Sequence, residues 1–102
     1  MISGSGFLGS HVADELSRRG FAVTIFDKEP SRWFTSDQRF VQGDLLDQAS
    51  LADCCEKARY VYHFAGVADI SAAKAHPYQT IESNVLGAAS VLEAVRDSGA
   101  ER

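Results

Sequence analysis

The chain has 102 residues, a net charge of −4 and 45% hydrophobic residues, which is ordinary for one soluble globular domain and too little for two. Its acidic balance and scattered Lys and Arg argue against nucleic-acid and acidic-membrane partners, because both bind basic faces. No apolar run approaches the roughly 18–20 residues of a membrane-spanning helix, and the N-terminus lacks a secretory signal pattern. Adjacent Cys54 and Cys55 predict two reduced helix thiols, not a disulfide or a zinc site. We therefore expect a cytoplasmic protein that makes no membrane contact.

Short apolar runs alternate with longer helical repeats along the chain, which predicts β-α-β units and a parallel sheet. Residues 1–3 predict the stub of a first strand. A helix is expected over 7–19, because Leu8, Val12 and Leu16 recur every four residues and form an apolar stripe.

The later elements follow the same alternation. Further strands are expected at 21–26, 39–42 and 59–64, with a loop or ragged short helix over 27–38. Asp47 is expected to cap a helix that runs to about residue 57. Pro77 is suited to the first position of a last helix that ends at Gly99. Its apolar stripe comprises Tyr78, Ile81, Val85, Ala88, Leu92 and Val95.

Residues 4–9 read Gly-Ser-Gly-Phe-Leu-Gly and lie between the strand stub and the first helix. In this spacing Gly4 permits a tight turn, Gly6 lets backbone amides approach a pyrophosphate, and Gly9 lets the helix pack on the strand. The helix N-terminus then offers free N–H groups to phosphate. The pattern predicts an α/β fold, a Rossmann-type doubly wound parallel sheet of about four strands and three main helices, with a nucleotide at the carboxyl ends of the strands.

Asp27 lies at the end of the second predicted strand, where a ribose-binding acid belongs in such a fold. A carboxylate there accepts both adenosine ribose hydroxyls, which favours NAD over NADP. A 2′-phosphate would lie against the same charge, at a cost of about 4 kcal/mol for charges 4 Å apart at an effective dielectric near 20. Adjacent Lys28 softens that repulsion. The alternative is that Asp27 is a simple turn residue.

Four motifs in order resemble a known family. Gly-Ser-Gly-Phe-Leu-Gly-Ser-His at 4–11 resembles the opening of the extended short-chain dehydrogenase/reductases, and of the NAD-dependent epimerase/dehydratase family in particular. Gly-Asp-Leu at 43–45, His-Phe-Ala-Gly at 63–66 and Asn-Val-Leu-Gly at 84–87 resemble the motifs that follow the third strand, end the fourth strand and lie in the next helix of that family. The resemblance implies an NAD-dependent enzyme that acts on nucleotide sugars.

The resemblance also implies roles for individual positions. The residues that would cradle the pyrophosphate are Gly4, Gly6, Phe7, Leu8 and Gly9, and those that would hold the adenosine ribose are Asp27 and Lys28. Those that would meet adenine are Asp44 and Leu45, and those that would pass the pyrophosphate-linked ribose are Phe64, Ala65 and Gly66. Asn84 would brace this last turn from behind. The alternative for Asp44 is a simple turn or cap role, and the alternative for Ala65 and Gly66 is that they only end a strand.

The chain departs from the family pattern at its start. In an ungapped comparison the family's first Thr-Gly aligns with Ile2 and Ser3, so serine replaces one glycine of the family pattern. The alternative is that the loop is one residue shorter than in the family and that Ser3 aligns with the threonine. The first strand is shortened as well. UDP-galactose 4-epimerases have a lysine two residues after the glycine that matches Gly66, and this chain has Ala68.

The catalytic motif of the family is not found in the sequence. Members pair Ser or Thr with Tyr-x-x-x-Lys, in which the lysine lowers the tyrosine pKa for proton transfer. None of Tyr60, Tyr62 and Tyr78 is followed four positions later by lysine. We therefore expect no catalytic residue here, and a partial N-terminal domain without the fifth strand and the substrate domain, inactive alone.

The sequence is also compatible with other functions. The chain is also compatible with a non-catalytic dinucleotide-binding module or subunit, whose exposed sheet edges favour association, for example as a homodimer. It is compatible too with the front half of an NADP-dependent hydroxysteroid dehydrogenase or flavonoid reductase. A flavodoxin-like domain without a dinucleotide would require the glycine loop, Asp27 and Asp44 to be coincidences.

Overall fold

Four parallel strands form one sheet, in which the third strand of the chain lies at one edge and is followed by the second, the first and the fourth. The computed structural model describes residues 1–29 and 35–102, so residues 30–34 of the predicted loop lie outside the described residues. The strands are β1 Ile2–Ser3, β2 Thr24–Asp27, β3 Arg39–Gln42 and β4 Tyr62–His63. The chain moves outward from β1 to β3 and then crosses to the other side of β1. This reversal is the switch point at which doubly wound sheets bind ligands.

Helices cover both faces of the sheet. They are α1 Phe7–Arg18, α2 Gln48–Glu56, α3 Ile70–Ala75, α4 Pro77–Ile81 and α5 Gly87–Arg96, with a π-helical turn Glu82–Leu86 between the last two. Asp47 caps α2 as predicted, and its carboxylate accepts hydrogen bonds from the Ser50 amide and hydroxyl. These bonds lower the pKa of Asp47.

Alternate residues of the strands pack into two separate cores, one on each face of the sheet. On one face Phe26 packs with Leu51, Cys55 and Val91, beneath α2 and α5. On the other face Ile25 packs with residues that include Ala13 of α1. The predicted Rossmann-type parallel sheet of four strands is therefore confirmed.

Several predicted boundaries are wrong. The second strand begins at Thr24, not at residue 21, and Phe21 before it is half exposed. The fourth strand is confined to Tyr62–His63. The short helix α3 was not predicted, although Asp69 accepts a hydrogen bond from the Ser71 amide and caps it in the usual way.

The last predicted helix exists as one unbroken helical run from Pro77 to Arg96 that contains the π-helical turn, but most of its predicted apolar stripe does not face the sheet, and Val95 alone of the described stripe residues is among those that pack against the first core. Side chains of the stripe are exposed: Tyr78 77%, Ile81 60%, Val85 59% and Leu92 70%. The buried face of α5 consists instead of small residues and one valine: Gly87, Ser90, Val91 and Ala94. Small residues allow α5 to approach α2 closely, and this contact closes the first core.

Among the helices of the described ranges, none combines the length and the hydropathy that a transmembrane span requires.

We predict that the core around Leu51 carries much of the stability. Leu51 is fully buried and Leu92 is mostly exposed, and both lie in helices. Leu51→Ala should lower the free energy of unfolding by about 2–5 kcal/mol, whereas Leu92→Ala should change it by less than about 0.5 kcal/mol. Urea titration followed by circular dichroism measures both. Equal midpoints for the two variants would contradict this packing.

Candidate cofactor-binding site

A cleft of about 370 Å³ opens at the carboxyl ends of the strands. It lies between the turns that follow β1, β2, β3 and β4. Predicted site residues that line it are Gly4, Gly6, Asp27, Lys28, Asp44, Leu45, Phe64, Ala65 and Gly66. Predicted residues that do not line it are Phe7, Leu8 and Gly9, which belong to the first turn of α1, and Asn84. The topology therefore brings four separate sequence motifs to one place.

Two glycines of the loop are required by sterics. Gly4 has φ +101°, and a Cβ on it would lie 2.6 Å from the Ala65 backbone nitrogen. A Cβ on Gly9 would overlap the Gly4 carbonyl oxygen. Any side chain at either position would therefore push β1, α1 and the end of β4 apart.

Gly6 is different, because it has open space where a Cβ would lie. It is exposed and caps the twelve-residue helix α1, without a side-chain bond to the first helical amides. The Phe7 and Leu8 side chains are 81% and 59% exposed. Phe7 and Leu8 therefore contribute their backbone N–H groups, and not their side chains, at the start of the helix. This backbone leaves room for an anion at the positive end of the helix dipole.

Asp27 ends β2 and faces the cleft. Its Oδ2 accepts hydrogen bonds from the Ser5 backbone N–H at 2.7 Å and from the Ser5 hydroxyl at 2.8 Å. Its Oδ1 accepts a longer bond, 3.2 Å, from the Glu29 amide. The glycine loop and the predicted ribose-binding acid are therefore one hydrogen-bonded unit.

The turn after β3 supplies the opposite wall. A Cβ on Gly43 would lie 2.6 Å from the Phe26 ring, so the turn is held tight against the core. Asp44 Oδ1 accepts a hydrogen bond from the Leu46 amide at 2.9 Å. This bond within the turn is the structural role that the sequence pattern indicated as the alternative for Asp44. Leu45 packs against Gly87 of α5.

Asn84 clamps the turn after β4. Its Oδ1 accepts from the Val67 N–H at 2.7 Å and its Nδ2 donates to the Val67 carbonyl at 2.9 Å. A Cβ on Gly66 would lie 2.8 Å from Asn84 Oδ1, so this clamp requires glycine there. Asn84 lies in the π-helical turn, and the wider backbone of such turns often marks functional positions.

The serine that departs from the family pattern is accommodated inside the sheet. Ser3 is fully buried in β1 and its hydroxyl hydrogen-bonds His63 Nδ1 on β4. Burial lowers the pKa of His63, which favours the neutral ring that such a bond can use. The strained backbone falls on Gly4, so the tight turn has the glycine it needs.

Other residues that line the cleft had no predicted cofactor contact, although Gly43 and Gly87 belong to the motifs that resemble the family. These other lining residues are Phe26, Glu29, Gly43, Leu46, Val67, Glu82, Ser83 and Gly87. Ser5 had no predicted role either, although its amide and its hydroxyl both donate to Asp27. Among the described lining residues, Lys28 is the one cationic side chain, against four carboxylates: Asp27, Glu29, Asp44 and Glu82.

Cys54 and Cys55 are free and buried in α2, and burial raises the pKa of both thiols. Within residues 1–29 and 35–102, no cluster of three or more His, Cys, Asp or Glu is arranged to hold a metal ion.

We predict that the Gly4 contact is decisive for folding. Gly20 also has a positive φ, +89°, but nothing lies within 4 Å of a Cβ placed there. Gly20→Ala should cost about 1 kcal/mol for the backbone conformation alone. Gly4→Ala should cost about 1–3 kcal/mol more, because it adds overpacking against Ala65. The free energies of unfolding from urea titration test this, and equal costs would refute the close approach.

Comparisons with known proteins agree with this geometry. In curated proteins the chain is 33% identical to human sterol-4-alpha-carboxylate 3-dehydrogenase, decarboxylating, over 100% of this chain and 26% of that protein. It is 32% identical to UDP-glucose 4-epimerase of Erwinia amylovora over 97% of this chain and 33% of that protein. The crystal structure of UDP-glucose 4-epimerase from Brucella ovis in complex with NAD superposes with a TM-score of 0.81, at 36% identity, over 93% of this chain and 31% of that one.

The chain thus spans about a quarter to a third of the length of these relatives. The model of the NAD dependent epimerase/dehydratase family matches residues 1–102. With the glycine loop, the acid after β2 and the clamped turn after β4 in their expected places, the chain belongs to the NAD-dependent epimerase/dehydratase family.

Proposed function

We propose that this chain binds NAD, as the cofactor-binding part of an epimerase/dehydratase-type enzyme that acts on a nucleotide sugar. The observation that carries the proposal is the position of Asp27, whose carboxylate faces the same cleft as the open Gly6 at the start of α1. A ribose diol and a pyrophosphate need an acceptor and a set of backbone donors in that order along a sheet edge.

The cleft fits the cofactor in four places. Gly6 and the first turn of α1 present backbone donors for the pyrophosphate. Asp27 presents Oδ1 for the adenosine ribose. Asp44 uses one carboxylate oxygen within its own turn, which leaves the other for the adenine amino group, beside Leu45. Phe64, Ala65 and Gly66 line the far side of the cleft, where the second ribose would pass.

The charges of the cleft favour NAD over NADP. Four carboxylates and one lysine line its described part, so an added 2′-phosphate would meet a net negative wall. The NAD-bound Brucella ovis structure supports the same choice.

The chemistry of such a cofactor is hydride transfer between the nicotinamide and a substrate carbon. We propose that the Ser or Thr and the Tyr-x-x-x-Lys that would move the proton lie outside these 102 residues, in a longer polypeptide that also carries the substrate domain. On this proposal the chain alone binds cofactor without turnover. A cytoplasmic location and association as a homodimer belong to the same proposal.

A second substrate class has a specific observation behind it. The human relative at 33% identity is named as a sterol-4-alpha-carboxylate dehydrogenase, so a sterol or steroid is the alternative to a nucleotide sugar. Ala68 stands where UDP-galactose 4-epimerases have lysine, which supports keeping this alternative. Turnover assays of the longer polypeptide with both substrate classes would separate the two.

We predict that Gly6→Val abolishes NAD binding and leaves the fold intact. The valine has room in the protein but would occupy the space through which the pyrophosphate approaches the amides. Gly99→Val is the matched control, because Gly99 is also exposed with open space around it and lies away from the cleft. Calorimetric titration measures affinity and circular dichroism checks the fold. Wild-type affinity in Gly6→Val would remove the loop from the site.

We predict that Asp27→Ala narrows the preference for NAD over NADP. Loss of the hydrogen bonds between the ribose and this carboxylate should weaken NAD binding about 10- to 100-fold, since a hydrogen bond to a charged group contributes about 1.5–3 kcal/mol. The affinity for NADP should change little, because the substitution removes the charge that repels the 2′-phosphate together with the hydrogen-bond acceptor. Asp53→Ala, an exposed aspartate on α2, should leave both dissociation constants unchanged. An unaltered ratio in Asp27→Ala would mean that the ribose is held elsewhere.

A further inference from the structure

The serine inside the glycine loop has a contact that its neighbours do not share. Ser5 is 9% exposed, and its backbone N–H and its hydroxyl both donate to the same oxygen of Asp27, at 2.7 and 2.8 Å. Ser10 in the first turn of α1 is similarly buried, but its hydroxyl donates to the Ser5 and Gly6 carbonyls and not to Asp27. The Ser5 hydroxyl is therefore a second donor aimed at the proposed ribose-binding acid.

Two donors on Oδ2 fix how the carboxylate is presented. A carboxylate oxygen accepts about two hydrogen bonds comfortably, so the Ser5 amide and hydroxyl fill the capacity of Oδ2. Rotation of the carboxyl group would break both bonds. Oδ1, which holds the longer 3.2 Å bond from Glu29, is then the oxygen left for a ligand in the cleft.

A fixed carboxylate has different consequences for two cofactors. For NAD, the acceptor is already oriented before binding, so less side-chain freedom is lost when a ribose hydroxyl donates to it. For NADP, the charge cannot turn away from the 2′-phosphate, so the repulsion is retained in full. The same two bonds therefore raise affinity for one cofactor and lower affinity for the other.

We propose that Ser5 is a positioning residue that sets the NAD-over-NADP preference, by locking Asp27 through its hydroxyl. This inference rests on the proposed binding of NAD in the cleft. The backbone bond from the Ser5 amide exists with any residue except proline at this position, whereas the hydroxyl bond requires serine or threonine. The choice of residue at position 5 thus adjusts the preference without changing Asp27 itself.

The test is a double-mutant cycle on the 102-residue chain, with dissociation constants for NAD and NADP from calorimetry. Ser5→Ala should raise the dissociation constant for NAD about 3- to 10-fold and that for NADP less. The ratio of the NADP dissociation constant to the NAD dissociation constant therefore falls. Ser5→Cys should behave in the same way, because a thiol is a weak donor. In the Asp27→Ala background, Ser5→Ala should not change the ratio further, which a merely structural role would not produce. Ser50→Ala is the matched control, because its hydroxyl also donates to a carboxylate, that of Asp47, away from the cleft, and it should leave the ratio unchanged.

The outcomes separate the two proposals. If the wild-type chain binds NAD but Ser5→Ala and Ser5→Cys keep its ratio, the role of Ser5 is overturned and NAD binding stands. If Ser5→Ala lowers the ratio equally with and without Asp27, the hydroxyl acts by another route and the inference is again overturned. If the wild-type chain does not bind NAD at all, both proposals fall.

Discussion

The cleft depends on one steric constraint, the contact of three chain segments at glycines. The end of β1 turns at Gly4 directly against the Ala65 backbone after β4, and α1 passes over Gly4 at Gly9 with no space for a side chain. This contact places the N-terminus of α1, the carboxyl end of β2 and the turn after β4 around one volume. Because β4 lies beside β1 while the chain first moves to β2, the same contact marks the switch point where the sheet opens to a ligand.

Polar bonds then lock the walls that the glycines bring together. Asp27 holds the glycine loop through Ser5, Asn84 holds the turn after β4 through Val67, and Ser3 ties β1 to His63 of β4. Each bond joins segments that are distant in sequence, so the shape of the cleft is set by tertiary structure and not by any one motif. Four side chains of the apolar stripe of α4, the π-helical turn and α5, in contrast, are mostly exposed: Tyr78, Ile81, Val85 and Leu92.

Much of this arrangement could be predicted from residue patterns, because those patterns act locally. The glycine spacing, the acid after β2 and the cap at Asp47 are each determined within a few residues, and the parallel sheet and the family are confirmed. The π-helical turn and the Ser5–Asp27 pair were not predicted, since they depend on which side chains the fold brings together. The burial of α5 was misjudged because its small face, Gly87, Ser90 and Ala94, packs on α2, while hydropathy weights the large residues. The ligand roles of the site residues stay predictions.

The most direct measurement is a titration of the ¹⁵N-labelled chain with NAD, followed by amide chemical shifts. The central claim predicts saturable shifts concentrated at Gly6, Phe7, Asp27 and Leu45, around the cleft at the carboxyl ends of the strands. A second cavity lies at the opposite ends of the strands, lined by residues that include Leu16, Phe21 and Tyr60, and serves as an internal reference. Shifts confined to that cavity, or none at millimolar NAD, would contradict the claim that this chain is a cofactor-binding domain.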